Sequence, residues 1–409
     1  MEIVKEIIDD VRGKGDEAVK SYTWKFDKVK LDKLMVTEED IRQAYNSVSK
    51  ETISALKFAK KNIELFAKKQ MAQFHDFEIN KGGVAIGQKV AAIEKIGAYV
   101  PGGNYPLPST ALMCVVPARV AGVDEVVVCS PKIKPETIVA ADIAGADKIF
   151  RIGGIQAIAA MAYGTESVPK VDKIVGPGNA YVTAAKKEIY GDCGIDFLAG
   201  PSEVMIIADE KSDFKIISAD ILAQLEHDAD ARAFLATNSE TIANNAKKEI
   251  QKQLAALKTK NIIKESLKNL KIFITKNMEE SADIANKIAP EHLELQIKNP
   301  EKIIKKLRNY GSLFIGQYSA EVFGDYCSGT NHVLPTRGGA RFTSGLSVRD
   351  FIKLQTYQKI TKEGAKKLAS AALQLSKIEG LEAHNRSVAI RMGNSYQSKL
   401  QKQKTSNKN

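Results

Sequence analysis

The sequence predicts an α/β protein of two successive α/β modules, preceded by a helical region and closed by a small C-terminal helical extension. Two observations carry this. From Glu125 onward, short β-branched runs alternate with segments of helical period, the rhythm of βαβ units and hence of a parallel, helix-flanked sheet. After Gly200-Pro201-Ser202 the same alternation starts again. A chain of 409 residues also exceeds what one typical core holds, so more than one domain is expected.

Taken in order, Ile3 to Tyr22 and Glu38 to Gln70 place apolar residues at helical spacing on either side of a Phe26 to Val36 connection. From Phe77 to Ala98 the runs are shorter and β-branched, with Gly82-Gly83 and Gly87 marking turns, which suggests a small antiparallel element. The glycine-rich stretch Gly97 to Asn104 then reads as a loop ahead of a helix from Ser109 to Ala121. The first module follows: strands Glu125 to Cys129, Lys148 to Ile152 and Lys173 to Val175, helices Pro135 to Ala144 and Gln156 to Tyr163, and a helix to about Tyr190 behind Gly176-Pro177-Gly178-Asn179. In the second, strands Glu203 to Ala208, Ala231 to Ala236 and Lys271 to Thr275 alternate with helices ending at Asp228, Leu257 and Ile288. Strand-like His292 to Ile297 and Ser312 to Gly316 extend it, and Thr361 to Ile378 makes a closing helix that stops near Gly380.

Composition narrows the class of function. Apolar residues make up 44% and charged residues 27%, ordinary values for a globular protein, and the longest uncharged apolar stretch, Gly153 to Gly164, is too short to span a bilayer. The N-terminus is charged and amphipathic, unlike a secretory signal, so cytoplasmic residence is expected. Cys114, Cys129, Cys193 and Cys327 lie far apart, without a metal-type CxxC pair, which suits a reducing compartment and inert packing. The net charge of +11 is concentrated at the end: Asn385 to Asn409 has six basic residues and no acidic one. With only Tyr396 as an aromatic there, the stretch Ser398 to Asn409 reads as a solvated, frayed tail and not as a nucleic-acid-binding arm.

The five histidines carry the chemical signal. Gln224 and His227, three residues apart, share one helical face and can grip one ion together. Glu291 and His292 are an acid and a base adjacent at a helix-to-strand junction; strand alternation would send them to opposite sides unless the junction bends, as Pro290 allows. Asp325 and His332 bracket a loop closed by Pro335, and Glu379 and His384 follow the last helix. Each histidine alone reads as an ordinary packed or surface residue. Together, their carboxylate, imidazole and amide partners suit zinc or a neighbouring divalent ion. No GxGxxG follows a strand, so the loops at Gly97 and Gly176 support a phosphate site or a plain turn equally. These residues leave a metal-assisted hydrolase and a metal-dependent dehydrogenase level.

Longer motifs separate the two. The run Gly97 to Gly122 (GAYVPGGNYPLPSTALMCVVPARVAG), the run Val175 to Asp209, Gln224 to His227, Pro290 to Leu293 and Gly324 to Thr336 (GDYCSGTNHVLPT) together resemble the histidinol dehydrogenase family, in order, from about Ile3 to His384. The resemblance implies two Rossmann-like, incomplete α/β modules: residues 1–97 with 202–346 as the first domain, 98–201 as the NAD-binding domain, and 347–409 as an extension serving the dimer and the partner's active site. It implies NAD-dependent oxidation of L-histidinol, through the aldehyde, to L-histidine, with one zinc per subunit. Metal ligands fall on Gln224, His227, Asp325 and His384, the last supplied by the other subunit of a homodimer. Substrate contacts fall on Ser202, Gln224, His227, His292, Asp325, Glu379 and His384, and NAD contacts on Tyr99, Gln156 and Asn179. By the same analogy His292 is the base for the alcohol, acting near its ordinary pKa, and Glu291 activates water for the aldehyde step. His332 is expected beside the ligands and not among them. The chain starts close to the first helix of the family, without the longer N-terminal arm of many relatives, an expectation that bears on the dimer.

Overall fold

The computed structural model describes residues 2–102 and 106–393. It divides into two compact units, residues 1–72 with 92–351 and residues 73–91 with 352–409. The expected frayed tail, and Gly103 and Asn104 of the glycine-rich loop, lie outside the described residues.

The larger unit holds both parallel sheets. The strands in chain order are β1 (Phe77–Lys81), β2 (Val84–Ala92), β3 (Lys95–Tyr99), β4 (Glu125–Cys129), β5 (Lys148–Phe150), β6 (Lys173–Val175) and β7 (Gly194–Ile195). They continue as β8 (Glu203–Ala208), β9 (Arg232–Thr237), β10 (Leu270–Ile274), β11 (His292–Gln296), β12 (Ser312–Ile315) and β13 (Ile352–Ile360). The first sheet runs β5-β4-β3-β6-β7 and the second β10-β9-β8-β11-β12, each parallel throughout. Counted from its own first strand, each has the order 3-2-1-4-5, the dinucleotide-fold order with its last strand missing. Both modules are therefore incomplete Rossmann-like sheets. Central strands are buried on both faces, as β8 is along its whole length, because helices cover each side of a parallel sheet.

One core cluster joins the first sheet to the N-terminal helix Glu2–Asp27 through Val4, Ile7, Val11, Phe150, Ile158 and Met161. That helix breaks at Gly15, whose positive φ brings Asp16 N–H onto the Glu166 carboxylate at 2.8 Å. Two further clusters lie on the faces of the second sheet, around Ile206 and Leu235 on one side and around Met205 and Leu293 on the other.

The smaller unit contains the sheet β1-β2-β13 and the helices Lys362–Ile378 and Glu382–Met392. β1 and β2 form an antiparallel hairpin across Gly82 and Gly83, both at positive φ, as their dipeptide suggests.

Three expectations need correction. The antiparallel element ends at Ala92, because Lys95–Tyr99 is a buried apolar run that becomes the centre of the first parallel sheet. The Gly97 to Asn104 stretch is therefore part strand. The loop that Asp325 and His332 bracket is present, with Asp325 in the last turn of a short helix, Glu321–Tyr326, ahead of it. His384 lies within the helix Glu382–Met392 and not in a tail after the last helix. No helix among the described residues is long and apolar enough to cross a membrane.

Candidate active site

Connections bring the polar residues to the amino ends of β8 and β11. The helix Phe214–Leu225 runs back from the carboxyl end of β8, so its last turn delivers Gln224 and then His227 to the edge where β8 begins at Glu203. β11 begins at His292 and lies beside β8, with His292 opposite Val204. Ser202, half-buried, precedes β8, and its carbonyl accepts from Arg232 N–H at 3.0 Å. Glu291 and His292 do share one pocket, their carboxylate and Nδ1 being 3.8 Å apart. The bend comes from Ala289, which caps the preceding helix at φ 53° in the left-handed region that alanine rarely adopts.

His292 is held in a defined tautomer. Its Nδ1 lies 3.3 Å from the Glu203 carbonyl, which can only accept, with Glu321 Oε1 at 3.3 Å and Glu291 Oε2 at 3.8 Å also near it. The proton therefore belongs on Nδ1, and the lone pair on Nε2. Among the described residues, buried Nε2 has no hydrogen-bond partner, and it looks toward Asp325 Oδ1 at 3.7 Å. Burial pulls the imidazole pKa down to about 4, against the opposing pull of Asp325. The expectation of a near-ordinary pKa thus fails for a physical reason: desolvation disfavours the imidazolium. The ring is neutral at pH 7 and free to take a proton.

His227 has the same polarity. Its Nδ1 lies 3.1 Å from the Ala223 carbonyl and 3.2 Å from that of Gln224, which leaves Nε2 unprotonated and 4.0 Å from Asp325 Oδ2. Gln224 is fully buried, and its amide is satisfied in one orientation, with the nitrogen donating to Glu321 at 2.7 Å (Oε1) and 3.3 Å (Oε2). The reverse orientation sets oxygen against oxygen.

His332 is not arranged as a ligand. Its Nδ1 donates to the Asp325 carbonyl at 2.7 Å, and its Nε2 lies 3.2 Å from Thr110 Oγ1, so both nitrogens are engaged, one by the Asp325 backbone and the other by Thr110. Thr110, on the helix Pro108–Ala121, ties this loop to the first sheet's layer, as does Asn331 through Met113 O.

Beneath these groups lies a run of buried acids. Glu291 and Glu321 are pushed well above the usual carboxylate range by burial, although Glu203 N–H donates to Glu291 Oε2 at 2.9 Å. Glu294 is pushed up to about 8 by burial and by Asp220 beside it, and Asp220 is raised by burial. His292, Glu321 and Asp325 offer ligand atoms within 4.8 Å of one another. Glu321 escaped the sequence reading; the sign that could have found it is its i,i+4 spacing from Asp325 on one helical face.

The first sheet gathers a second group, at its carboxyl ends. Tyr99 ends β3, is buried, and accepts from Gly154 N–H through its hydroxyl at 3.1 Å. Gln156 is buried with Oε1 unpartnered. Asn179 caps the helix Ala180–Ile189 by accepting from Tyr181 and Val182 N–H at 3.0 and 3.1 Å. Tyr99 and Asn179 follow β3 and β6, the pair at which the strand order reverses and where such folds bind nucleotides, while Gln156 follows the edge strand β5.

The structure therefore brings Gln224, His227, Glu291, His292 and Asp325 into one cluster, with Ser202 at the start of β8, and leaves Tyr99, Gln156 and Asn179 at the other sheet. Glu379 and His384 belong to the smaller unit, where they are exposed, one capping the helix Lys362–Ile378 and the other in the first turn of the next.

A family model described as histidinol dehydrogenase matches residues 1–392. The chain belongs to the histidinol dehydrogenase family. Histidinol dehydrogenase from Methanocaldococcus jannaschii is 49% identical over 394 residues, covering 95% of this chain and 92% of that one. The Bacillus cereus enzyme of the same name is 47% identical, over 95% and 91%. The crystal structure of histidinol dehydrogenase from Elizabethkingia anophelis superposes with a TM-score of 0.92 at 40% identity, covering 96% of this chain and 92% of that one. As a histidinol dehydrogenase family member, the chain is an oxidoreductase of histidine biosynthesis.

Proposed function

We propose that this chain oxidises L-histidinol through L-histidinal to L-histidine in two NAD-dependent steps, at a zinc site completed by a second copy of itself. The observation that carries the reading is the unpartnered Nε2 of a neutral, buried His292 facing Asp325, beside a carboxyl group for the second step.

The donor set suits zinc. His227 Nε2 has its lone pair free, Asp325 offers carboxylate oxygens, and Gln224, once its nitrogen is taken by Glu321, has its carbonyl oxygen left over. These three, with His384 from the second copy, would hold the metal. Zinc, when bound, supplies an anchor for the substrate's imidazole and amine nitrogens. Support for a second copy comes from an apolar groove of about 850 Å³ beside Asp325, lined by Leu56, Phe58, Leu112 and Tyr326. Phe58 and Tyr326 are more than half exposed there. Residues 98–201 form the proposed NAD-binding domain, with Tyr99, Gln156 and Asn179 at the cofactor; the unpartnered Gln156 Oε1 supports this. Residues 1–97 with 202–346 carry the chemistry, and 347–409 serve the dimer and the partner's site. NAD, when bound, supplies the hydride acceptor in both steps.

In the first step His292 Nε2 takes the hydroxyl proton as the carbinol hydride leaves. Its Nδ1 proton stays pinned by the surrounding oxygens, so the ring accepts at one end only. Glu291 then takes a proton from water as it adds to the aldehyde, and the hydrated carbon loses the second hydride. Glu379 binds the substrate's ammonium, and Ser202 and His384 border the substrate. The setting is cytoplasmic.

The test is NADH formation from histidinol and NAD by zinc-loaded protein, with metal content measured alongside. Two NADH per histidinol are expected, lost on chelation and restored by zinc. Turnover of an ester or amide without nicotinamide would instead make it a hydrolase.

A further inference from the structure

Glu321 has no place among the residues carried over by resemblance, yet it faces two of them, Gln224 and His292. It opens the short helix Glu321–Tyr326, is buried, and has its own N–H donated to Glu294 Oε1 at 3.0 Å. One turn later on the same face comes Asp325, so a single turn of helix sets both side chains. Its Oε1 lies 2.7 Å from the Gln224 amide nitrogen and 3.3 Å from His292 Nδ1.

We infer that Glu321 is the positioning residue of the site, one carboxyl group that turns the Gln224 carbonyl oxygen toward the cation and keeps the His292 lone pair on Nε2. The inference rests on the proposed reading of Gln224 as a ligand and His292 as the base. An amide has two ends of nearly equal shape, and a buried one is oriented by whatever its nitrogen meets. At Gln224 that is Glu321. An imidazole has two tautomers, and the one present is set by the partner of its other nitrogen. At His292 the Glu203 carbonyl and Glu321 share that task. The competing assignment is that Glu321 is itself a ligand with His292 and Asp325. That would engage either His292 Nε2, the atom the base role needs, or Nδ1, the atom that must carry the proton, and would turn Glu321 away from the two nitrogens it faces.

Glu321→Gln tests this with the shape kept. The substituted amide presents one acceptor oxygen where the carboxyl group presents two, and its NH2 meets the Gln224 amide nitrogen donor to donor, so kcat is expected to fall about 10–100-fold, the usual cost of losing a group that orients a metal ligand. KM for NAD stays at the wild-type value, because the cofactor residues lie at the other sheet. In the cobalt(II)-substituted protein the visible absorption bands shift, while cobalt still binds at one per subunit under saturating metal. Wild-type kcat with unshifted bands would overturn the inference. Failure to bind cobalt at saturation would also overturn it, by making Glu321 a ligand. Glu321→Ala should be worse than Gln in kcat; if it does not fold, the isosteric variant decides alone. The cobalt spectrum needs no turnover: a wild-type protein inactive on histidinol would sink the functional reading, while shifted bands in Glu321→Gln would still support the positioning role.

Discussion

His292 Nε2 is the atom on which the proposed chemistry turns, and its surroundings make it testable by substitution. His292→Ala removes the proton acceptor but none of the proposed zinc ligands, so NADH formation should drop by about 10²–10⁴-fold with zinc still bound. Normal turnover by that variant would refute the base assignment. The buried charges also predict how stability follows pH, and two of them act in opposite senses. His292 has a folded pKa of about 4, below its ordinary value of 6.5, so its contribution is complete above pH 6.5 and fades as pH falls toward 4. Glu294 is raised from 4.5 to about 8, so its contribution is complete below pH 4.5 and is lost as pH rises toward 8. Glu294→Gln removes that loss. Relative to wild type, the metal-free variant should gain stability between pH 5 and pH 8.5, on the order of a few kcal/mol. Thermal unfolding at both pH values measures it, and an equal Tm difference at the two would show that Glu294 is already ionised in the fold. None of this was legible in the sequence. A glutamate in β11 alternates like any solvent-facing residue, and only the packed neighbour β8 and the helix Glu321–Tyr326 bury it.

At the scale of elements, the turn after β6 shows how a glycine and an ion pair act together. Gly176 has φ 110°, and a Cβ there would run into the Tyr99 carbonyl. Its N–H donates to Asp196 Oδ2 at 2.8 Å and its carbonyl accepts from Lys186 Nζ at 3.0 Å, while Lys186 and Asp196 pair directly in a nearly closed environment. The turn is thus gripped from both sides. Lys186→Met leaves a buried, uncompensated carboxylate, which should cost about 3–5 kcal/mol and raise KM for NAD without changing that for histidinol. Adding Asp196→Asn removes the stranded charge while keeping an oxygen for the Gly176 N–H, and should recover part of the stability. A double variant no more stable than the single one, by denaturant unfolding, would show that the pair is not what holds this turn. Long strands and helices with strong period were readable from the chain, including β4 to β6 and β8 to β12 in close outline, whereas the two-residue β7 was not. The misses have physical causes. Glu321–Tyr326 is too short, with Gly324 inside it, to show a helical period, and β13 is exposed along most of its length and pairs with β2 from far away in sequence. β3 was misplaced because hydrophobic runs of that length do not announce which sheet they join.

At the scale of the whole molecule, the two sheets have one strand order but use opposite ends. The proposed NAD residues follow the rule for such folds and sit at the carboxyl ends of the first sheet, whereas His292 and Glu291 stand at the amino ends of the second. Repetition of the fold was legible in the alternation of strands and helices; the reversal of the working end was not, because it depends on which edge the helix Phe214–Leu225 returns to. The proposed ligand set reaches further still, since His384 belongs to the smaller unit and is assigned to the partner's site by resemblance. Subunit mixing tests that assignment. A His384→Ala chain retains its own Gln224, and a Gln224→Ala chain retains its own His384. If each site takes these two from different chains, either homodimer is inactive, while a mixed dimer rebuilds one intact site and leaves the other doubly broken. Random mixing makes half of all dimers mixed, so activity should return to about a quarter of the wild-type level per chain. Differently tagged chains, co-expressed and purified through both tags, would isolate the mixed dimer and raise the figure to about half. Purified mixed dimers with no activity would mean that each site is built from a single chain, and the second copy would lose its role in the chemistry.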